Sequence, residues 1–233
     1  MKILLLGDGR DDRGLQRGKA GDPMPQRQWG ALHVLVAALL EQQGAQGYEF
    51  VFPLPPEAAQ RDEKTKKALP PDRIWRRHAD LFLSYTLRKY AQPGLMVIIC
   101  DQDCDSGKQA RLAKEVALAY RGLEQEPLQI VAFVSVECTE SWLLCDGWPP
   151  DHRLCRGVSH PQHLGCRDRR NQAKGIFDQL HGGGHQVRTK TARDAVQTPA
   201  SGGLVRMLQA GDFQRMEHGL KEAVTKLRSL IPR

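Results

Sequence analysis

Gly94-Leu95-Met96-Val97-Ile98-Ile99-Cys100-Asp101 is apolar almost from end to end and closes on an acid. A continuous apolar run of this length, without the alternation of a half-exposed strand, is the pattern of a strand covered on both faces. It reads as the central strand of a sheet, and the rest of the chain falls into place around it. Downstream, Ser106 to Tyr120 reads as a helix and Gln129 to Val136 as another buried strand. Upstream, Arg73 to Tyr90 reads as a helix with Ile74, Leu81 and Tyr85 inward, and Tyr48 to Pro53 as a strand. Before these, Gln28 to Gln43 places Leu32, Leu35, Val36, Leu39 and Leu40 at helical spacing, with Gly44 as a stop. Lys2 to Leu6 is a short apolar run that enters Gly-Asp-Gly, the form of a buried strand meeting a tight turn. Strands alternating with helices predict an α/β fold: a mostly parallel sheet flanked by helices.

The chain has 233 residues, enough for one large domain or a domain with an appendage. The pattern predicts an α/β core over 1–146, with a basic loop and a helical C-terminal extension packed on it over 147–233. Within the latter, a loop rich in Pro, His and Cys precedes helices expected over Arg169–Leu180, Thr191–Val196 and Phe213–Leu230. Hydrophobic residues at 40% and charged residues at 26% exclude general disorder. No apolar run approaches the roughly 18–20 residues that a membrane span needs. Met1 to Asp8 is too short and too soon acidic for a secretory signal, so a cytoplasmic chain is expected. Cysteines 100, 104, 138, 145, 155 and 166 then read as reduced thiols rather than a disulfide framework. The net charge of +7 is uneven: His152 to Arg193 is rich in Arg and Lys, whereas the strand ends carry acids. A basic surface beside an acidic pocket suits a polyanionic substrate held through a metal.

Three acidic clusters follow three of the strands. They are Asp8-Gly9-Arg10-Asp11-Asp12, Asp101-Gln102-Asp103-Cys104-Asp105, and Glu137-Cys138-Thr139-Glu140-Ser141-Trp142. In open α/β sheets, ligands bind in the crevice outside the carboxyl ends of the strands. Acids gathered there repel one another unless a hard cation neutralises them, and Mg²⁺ takes one or two carboxylates together with phosphates and waters. The competing reading is that each acid caps the helix that follows, as Asp105 can for the helix from Ser106. The coincidence of three clusters outweighs any one of them.

These residues resemble the Toprim domains of primases, topoisomerases and overcoming-lysogenization-defect nucleases. The stretch from Asp8 to Asp12 resembles their opening motif, and Asp101 with Asp103 resembles their Asp-x-Asp motif. Glu137 to Leu144 is similar to a segment of a narrower group of Toprim-like bacterial proteins, often encoded beside ATPases and associated with phage defence. Thr189-Lys190-Thr191 and Gly211-Asp212-Phe213 are similar to the C-terminal half of that group. The resemblance implies a Toprim-like sheet and a nuclease cleaving DNA or RNA with Mg²⁺ or Mn²⁺ as an effector of anti-phage defence. It also implies an ATPase partner. Asp101 and Asp103 would be principal metal ligands and Asp8 a ligand or general acid/base, with Asp12 and Glu140 as additional ligands. Toprim proteins ordinarily carry Glu where this chain has Asp8, one methylene shorter.

Lys108 and Arg111, at the start of the helix after the central strand, read either as phosphate contacts or as a solvated helix face. Cys155, His160, His163 and Cys166 are four potential zinc ligands, but their spacing is unlike the paired forms of common fingers. A basic, His-containing loop touching nucleic acid or a partner is the preferred reading there, with structural Zn²⁺ as the alternative. His181-Gly182-Gly183-Gly184-His185 reads as a turn, and Trp142 as a core residue rather than a base-stacking platform. Two further functions remain open. One is a catalytically degenerate Toprim-like subunit that binds a partner ATPase or nucleic acid; the other is a metal-dependent nucleotide phosphohydrolase. A homo-oligomer is compatible with each of these readings.

Overall fold

A computed structural model describes residues 1–7, 17–55, 60–62, 65–101, 105–135, 142–143, 174–175, 177–178, 182–197, 207 and 211–230. Four strands are described: β1 (Lys2–Gly7), β2 (Glu49–Val51), β3 (Gly94–Asp101) and β4 (Leu128–Ser135). All their pairings are parallel, in the order β2-β1-β3-β4. The helices are α1 (Ala31–Gln42), α2 (Pro71–Leu83), α3 (Lys108–Tyr120), α4 (His185–Gln197) and α5 (Gly211–Leu230). A π-helical turn, Ser84–Lys89, prolongs α2. The protein is thus an α/β fold with helices on both faces of a parallel sheet.

Alternation along each strand sorts the side chains into two layers. Ile3, Leu5, Leu95, Val97 and Ile99 join α1, α4 and α5 in one apolar cluster. Leu4, Leu6, Met96, Ile98 and Cys100 join Ala79 and Phe82 of α2 and Leu112 and Val116 of α3 in the other. The central run is buried over all of its length, as its composition demands. β4 departs from the expected buried strand. Residues 129–133 are only half-buried, and among the described residues β4 has a strand neighbour on one side.

The helices match the sequence periodicity in type and differ in detail. All five apolar positions expected to face inward from α1 are buried, but so are Ala31, His33, Val34 and Ala37. An amphipathic stripe has become a nearly all-round buried helix because α4 and α5 cover its outer side. His33 survives there because its Nδ1 accepts the Gly30 N–H at 3.3 Å and its ring meets Phe50 edge-on at 4.9 Å. Ile74, Leu81 and Tyr85 are half-buried, and the buried residues of α2 and its π turn are Ala79 and the stripe His78, Phe82 and Thr86. His78, Phe82 and Thr86 follow the i, i+4 spacing that stacks residues on one helix face. The expected helix over Thr191–Val196 begins earlier, at His185, just after Gly182 and Gly184 with φ of +84° and +100°.

The two ends of the sheet are finished differently. At the amino end, buried Lys2 pairs with Glu49 and its ammonium lies 4.4 Å from the Tyr90 ring centroid. Along the outer edge of β2, the segment 21–24 runs antiparallel, with Met24 N–H donating to Phe50 and Phe52 N–H to Asp22. That cover hides an otherwise unpaired ladder. Gly21 is required in it: its φ is +84°, and a Cβ would stand 2.4 Å from the Tyr85 ring. At the carboxyl end of β1 and β3 the described residues line a cleft. Among the described residues, no helix is long and apolar enough to cross a membrane.

Residues of the expected C-terminal extension complete the α1 side of the core. Phe177, Ala192, Ala195, Met207, Phe213, Met216 and Leu220 all belong to its cluster. Trp142 sits within it at 2% exposure, meeting Phe213 edge-on with ring centroids 5.2 Å apart. A core role for this tryptophan makes a definite prediction. Trp142→Ala should lower unfolding stability by about 3–5 kcal/mol, measured by urea denaturation, with Trp142→Phe retaining most of it.

Candidate functional site at the switch point of the sheet

The chain moves from β1 to one side to form β2, then crosses back to form β3 and β4 on the other. The strand order therefore reverses between β1 and β3. Where right-handed crossovers reverse direction, their helices go to opposite faces and leave a crevice at the carboxyl ends of the two strands. Here α1 lies on one face and α2 and α3 on the other. The register aligns Gly7 with Ile99 and Asp101 with Ser135, so β1, β3 and β4 end at a common edge.

A cleft of about 400 Å³ lies at that crevice. Its strand side is formed by Leu6, Gly7 and Cys100, the last a buried thiol. Ile74, Trp75 and His78 of α2 form one wall. Lys108, Arg111, Leu112 and Glu115 form the other, at the i, i+3, i+4, i+7 spacing of a single helix face. Trp75 and His78 stand one turn apart with ring centroids separated by 6.5 Å, and the Trp75 indole N–H donates to Glu115 Oε2 at 3.2 Å.

Asp101 ends β3 and is only 8% exposed. Alternation sends its side chain away from Cys100, toward the sheet face that packs against α1 and α5. Its Oδ1 accepts the Ser135 hydroxyl at 3.0 Å, and Ser135 is fully buried. A carboxylate carried this far out of water needs such partners, because desolvation penalises its charged form. The Lys108 ammonium donates to the Asp101 carbonyl, tying the first turn of α3 to the end of the strand. Lys108 is therefore not simply part of a solvated helix face. The cleft and the Asp101 carboxylate flank the end of β3 on opposite sides.

Asp105 does act at the start of α3, though not as the residue directly before it. Its Oδ1 accepts the Gly107 N–H at 3.0 Å while its carboxylate pairs with Arg111. The second expected phosphate contact, Arg111, is thus engaged with an acid at the mouth of the cleft.

Mg²⁺ and Mn²⁺ favour carboxylate oxygens. Asp101 carries the oxygen donors such an ion takes, and its Oδ1 accepts the Ser135 hydroxyl. Asp8, Asp12, Asp103 and Glu140 lie outside the described residues, as do Cys155, His160, His163 and Cys166. Among the described residues, no three His, Cys, Asp or Glu side chains form a metal-binding group.

Comparison with protein-family models, with curated proteins and with solved structures finds no match to this chain.

Trp75, His78, Glu115 and Ser135 enter the site without having been singled out in the sequence. The α3 residues carried a usable signal, because Lys108, Arg111 and Glu115 share a face directly after the acidic strand end. Ser135 carried none, since only the pairing register sets it opposite Asp101.

The Asp105–Arg111 pair gives a pH prediction. The Arg111 guanidinium holds the Asp105 carboxyl below its ordinary range, with the Gly107 N–H assisting and burial opposing. A carboxyl depressed in the folded state contributes stability above its unfolded pKa of about 3.9. That contribution is lost as pH falls through the folded value. Arg111→Ala should return the Asp105 titration, followed by carboxyl NMR, to the ordinary range. An unmoved midpoint in the variant would count against the pair as its cause.

Proposed function

We propose that this protein is a metal-dependent nuclease that hydrolyses phosphodiester bonds in DNA or RNA. The observation that carries this reading is the parallel order β2-β1-β3-β4, with β1, β3 and β4 ending together at the switch point. The three acidic segments of the sequence start one residue beyond Gly7, at Asp101 itself, and two residues beyond Ser135. The resemblance to Toprim domains supports phosphodiester hydrolysis as the chemistry. The narrower group supports a role in bacterial anti-phage defence and an ATPase partner, and the short, soon-acidic N-terminal segment supports a cytoplasmic setting.

In this proposal Asp101 and Asp103 hold one or two Mg²⁺ or Mn²⁺ ions, joined by Asp8, Asp12 and Glu140. Bound ions supply positive charge that polarises the scissile phosphate and favours deprotonation of the attacking water. The chain itself orients the acids and attracts the substrate. Ser135 fixes the Asp101 carboxylate through its hydroxyl, as outer hydrogen-bonding partners do for ligating carboxylates. Lys108 holds an ammonium at the end of β3, where a phosphate oxygen would gain a charge-assisted contact. Asp8 is either a further ligand or the group that accepts and returns the proton. The net charge of +7 favours encounter with a polyanion.

The test is cleavage of plasmid DNA and of single-stranded RNA in Mg²⁺ or Mn²⁺ by the wild type, Asp101→Asn, Asp103→Asn and Ser135→Ala. The Asn replacements should each reduce cleavage by more than about 100-fold, and Ser135→Ala by about 10–100-fold. Thermal unfolding should show that Asp101→Asn, a near-isostere, remains folded. Retention of full cleavage by both Asn variants would sink the assignment. A wild type that cleaves neither substrate, yet binds nucleic acid or an ATPase in EDTA, would instead identify a degenerate binding subunit.

A further inference from the structure

The connection that carries the chain from β2 to α2 is far longer than the crossover requires. We infer that its cations Arg61, Lys66 and Lys67, with Arg73 of α2, form the surface on which the phosphate backbone of the substrate docks. The inference rests on the nuclease reading in taking a nucleic acid as the occupant.

Topology sets the position. β2 ends at Val51 and α2 begins at Pro71, so residues 52–70 make one connection. About two to six residues usually suffice between a strand and the helix that follows. A connection leaving the carboxyl end of a parallel strand lies on the edge where α/β sheets bind ligands. That is the edge at which β3 ends in Asp101. Gln60 and Pro71 both line the switch-point cleft, so the chain between them leaves its rim and returns to it.

Local hydrogen bonds fix the shape of this segment. Residues 60–62 and 65–69 form a short antiparallel ladder, with Leu69 N–H donating to the Gln60 carbonyl at 2.8 Å and Asp62 N–H to that of Lys67 at 2.9 Å. The Asp62 carboxylate engages the ladder itself: its Oδ1 accepts the Thr65 N–H at 2.7 Å and the Thr65 hydroxyl at 2.9 Å. The Arg77 guanidinium donates to the Arg61 carbonyl at 2.9 Å and fastens the ladder to α2. Pro70 and Pro71 stiffen the junction. A surface ordered in advance loses little freedom when a partner docks on it.

Charge then selects the partner. Residues 60–77 hold seven Lys and Arg against three Asp and Glu. Arg61, Lys66, Lys67 and Arg73 are exposed, whereas Asp72 is half-buried in the first turn of α2. Lys66 adopts φ of +58°, a conformation that glycine enters freely and a lysine only at a cost. A cation kept where glycine fits more easily points to a use for its charge. Four cations on a fixed surface suit a backbone that carries one negative charge about every 3.4 Å along each strand. Thr65, Lys66, Lys67 and Ala68 offer no large apolar side chain to enter a bilayer, which favours nucleic acid over an anionic membrane. Contacts of this kind go to phosphates and are independent of base sequence.

The experiment is fluorescence anisotropy of labelled single-stranded DNA, duplex DNA and single-stranded RNA with the full chain in EDTA. Combining Arg61→Gln, Lys66→Gly and Lys67→Gln should weaken binding by about thirtyfold or more and reduce the slope of log affinity against log salt by about 2–3. Arg73→Gln alone should lower that slope by about 1, whatever the base sequence. Lys66→Gly alone should weaken binding by about threefold or more while the thermal midpoint holds or rises, since glycine relaxes the backbone. Unchanged affinity in this stable variant would mean that Lys66 serves the turn only, and overturns the inference. As a control, Arg215→Gln, Lys221→Gln and Lys226→Gln together remove equal charge from exposed positions of α5. They should change affinity by less than about twofold at 0.15 M salt. Equal losses in the two triple variants would assign binding to net charge and overturn the inference, as would a wild type that binds phosphatidylserine vesicles but no oligonucleotide. Asp101-dependent cleavage with binding indifferent to these cations removes this inference alone. Binding that depends on them, in a chain that cleaves nothing in Mg²⁺ or Mn²⁺, removes the nuclease reading alone.

Discussion

The arrangement of this protein depends on the in-register parallel pairing of β1 with β3. Lys2 opposite Gly94 through Gly7 opposite Ile99 brings together two runs separated by most of the first hundred residues. Both are apolar on both faces, so each needs a helical layer above and below, and each is unstable anywhere but the middle of a sheet. Once they pair, β2 and β4 take the outer positions and the strand order reverses between the central pair. The reversal sends α1 to one face and α2 with α3 to the other. The crevice at the carboxyl edge is a consequence of that division rather than of any residue lining it.

The edge is then furnished unevenly. On one side of the end of β3, Asp101 is drawn out of water and supported by the hydroxyl of buried Ser135. On the other side, Lys108 grips the Asp101 carbonyl while Trp75 and Glu115 lock together across α2 and α3. A carboxylate that has lost most of its hydration depends on fixed partners such as this hydroxyl. The opposite end of the sheet shows the contrast. There Lys2 pairs with Glu49 and lies over the Tyr90 ring.

The C-terminal residues also serve the core. α1 has too little polar surface to face water, and the cluster formed by α4, α5, Phe177, Met207 and Trp142 covers it. A chain cut after the α/β alternation would expose that face. The basic composition of this half therefore overlies a structural duty that composition does not reveal.

The strands and helices were legible in the sequence because burial on both faces leaves a continuous apolar run, and one-sided burial leaves a helical stripe. The run at Gly94–Asp101 and the helices from Ala31, Pro71 and Lys108 could be placed from local pattern, as could Asp101 at a strand end. What local pattern could not hold was anything set by a neighbour distant in the chain. β4 reads as buried although it stands at the edge of the described sheet, because an apolar composition does not state how many strands flank it. Ser135 meets Asp101 only through register, and Trp75 meets Glu115 only when α2 and α3 share a face. The sequence by itself determined which segments would be strands and that Asp101 would end the central one, since those follow from side chains along one segment. Tertiary structure alone decided strand order, and with it which ends meet, because order is fixed by packing between segments.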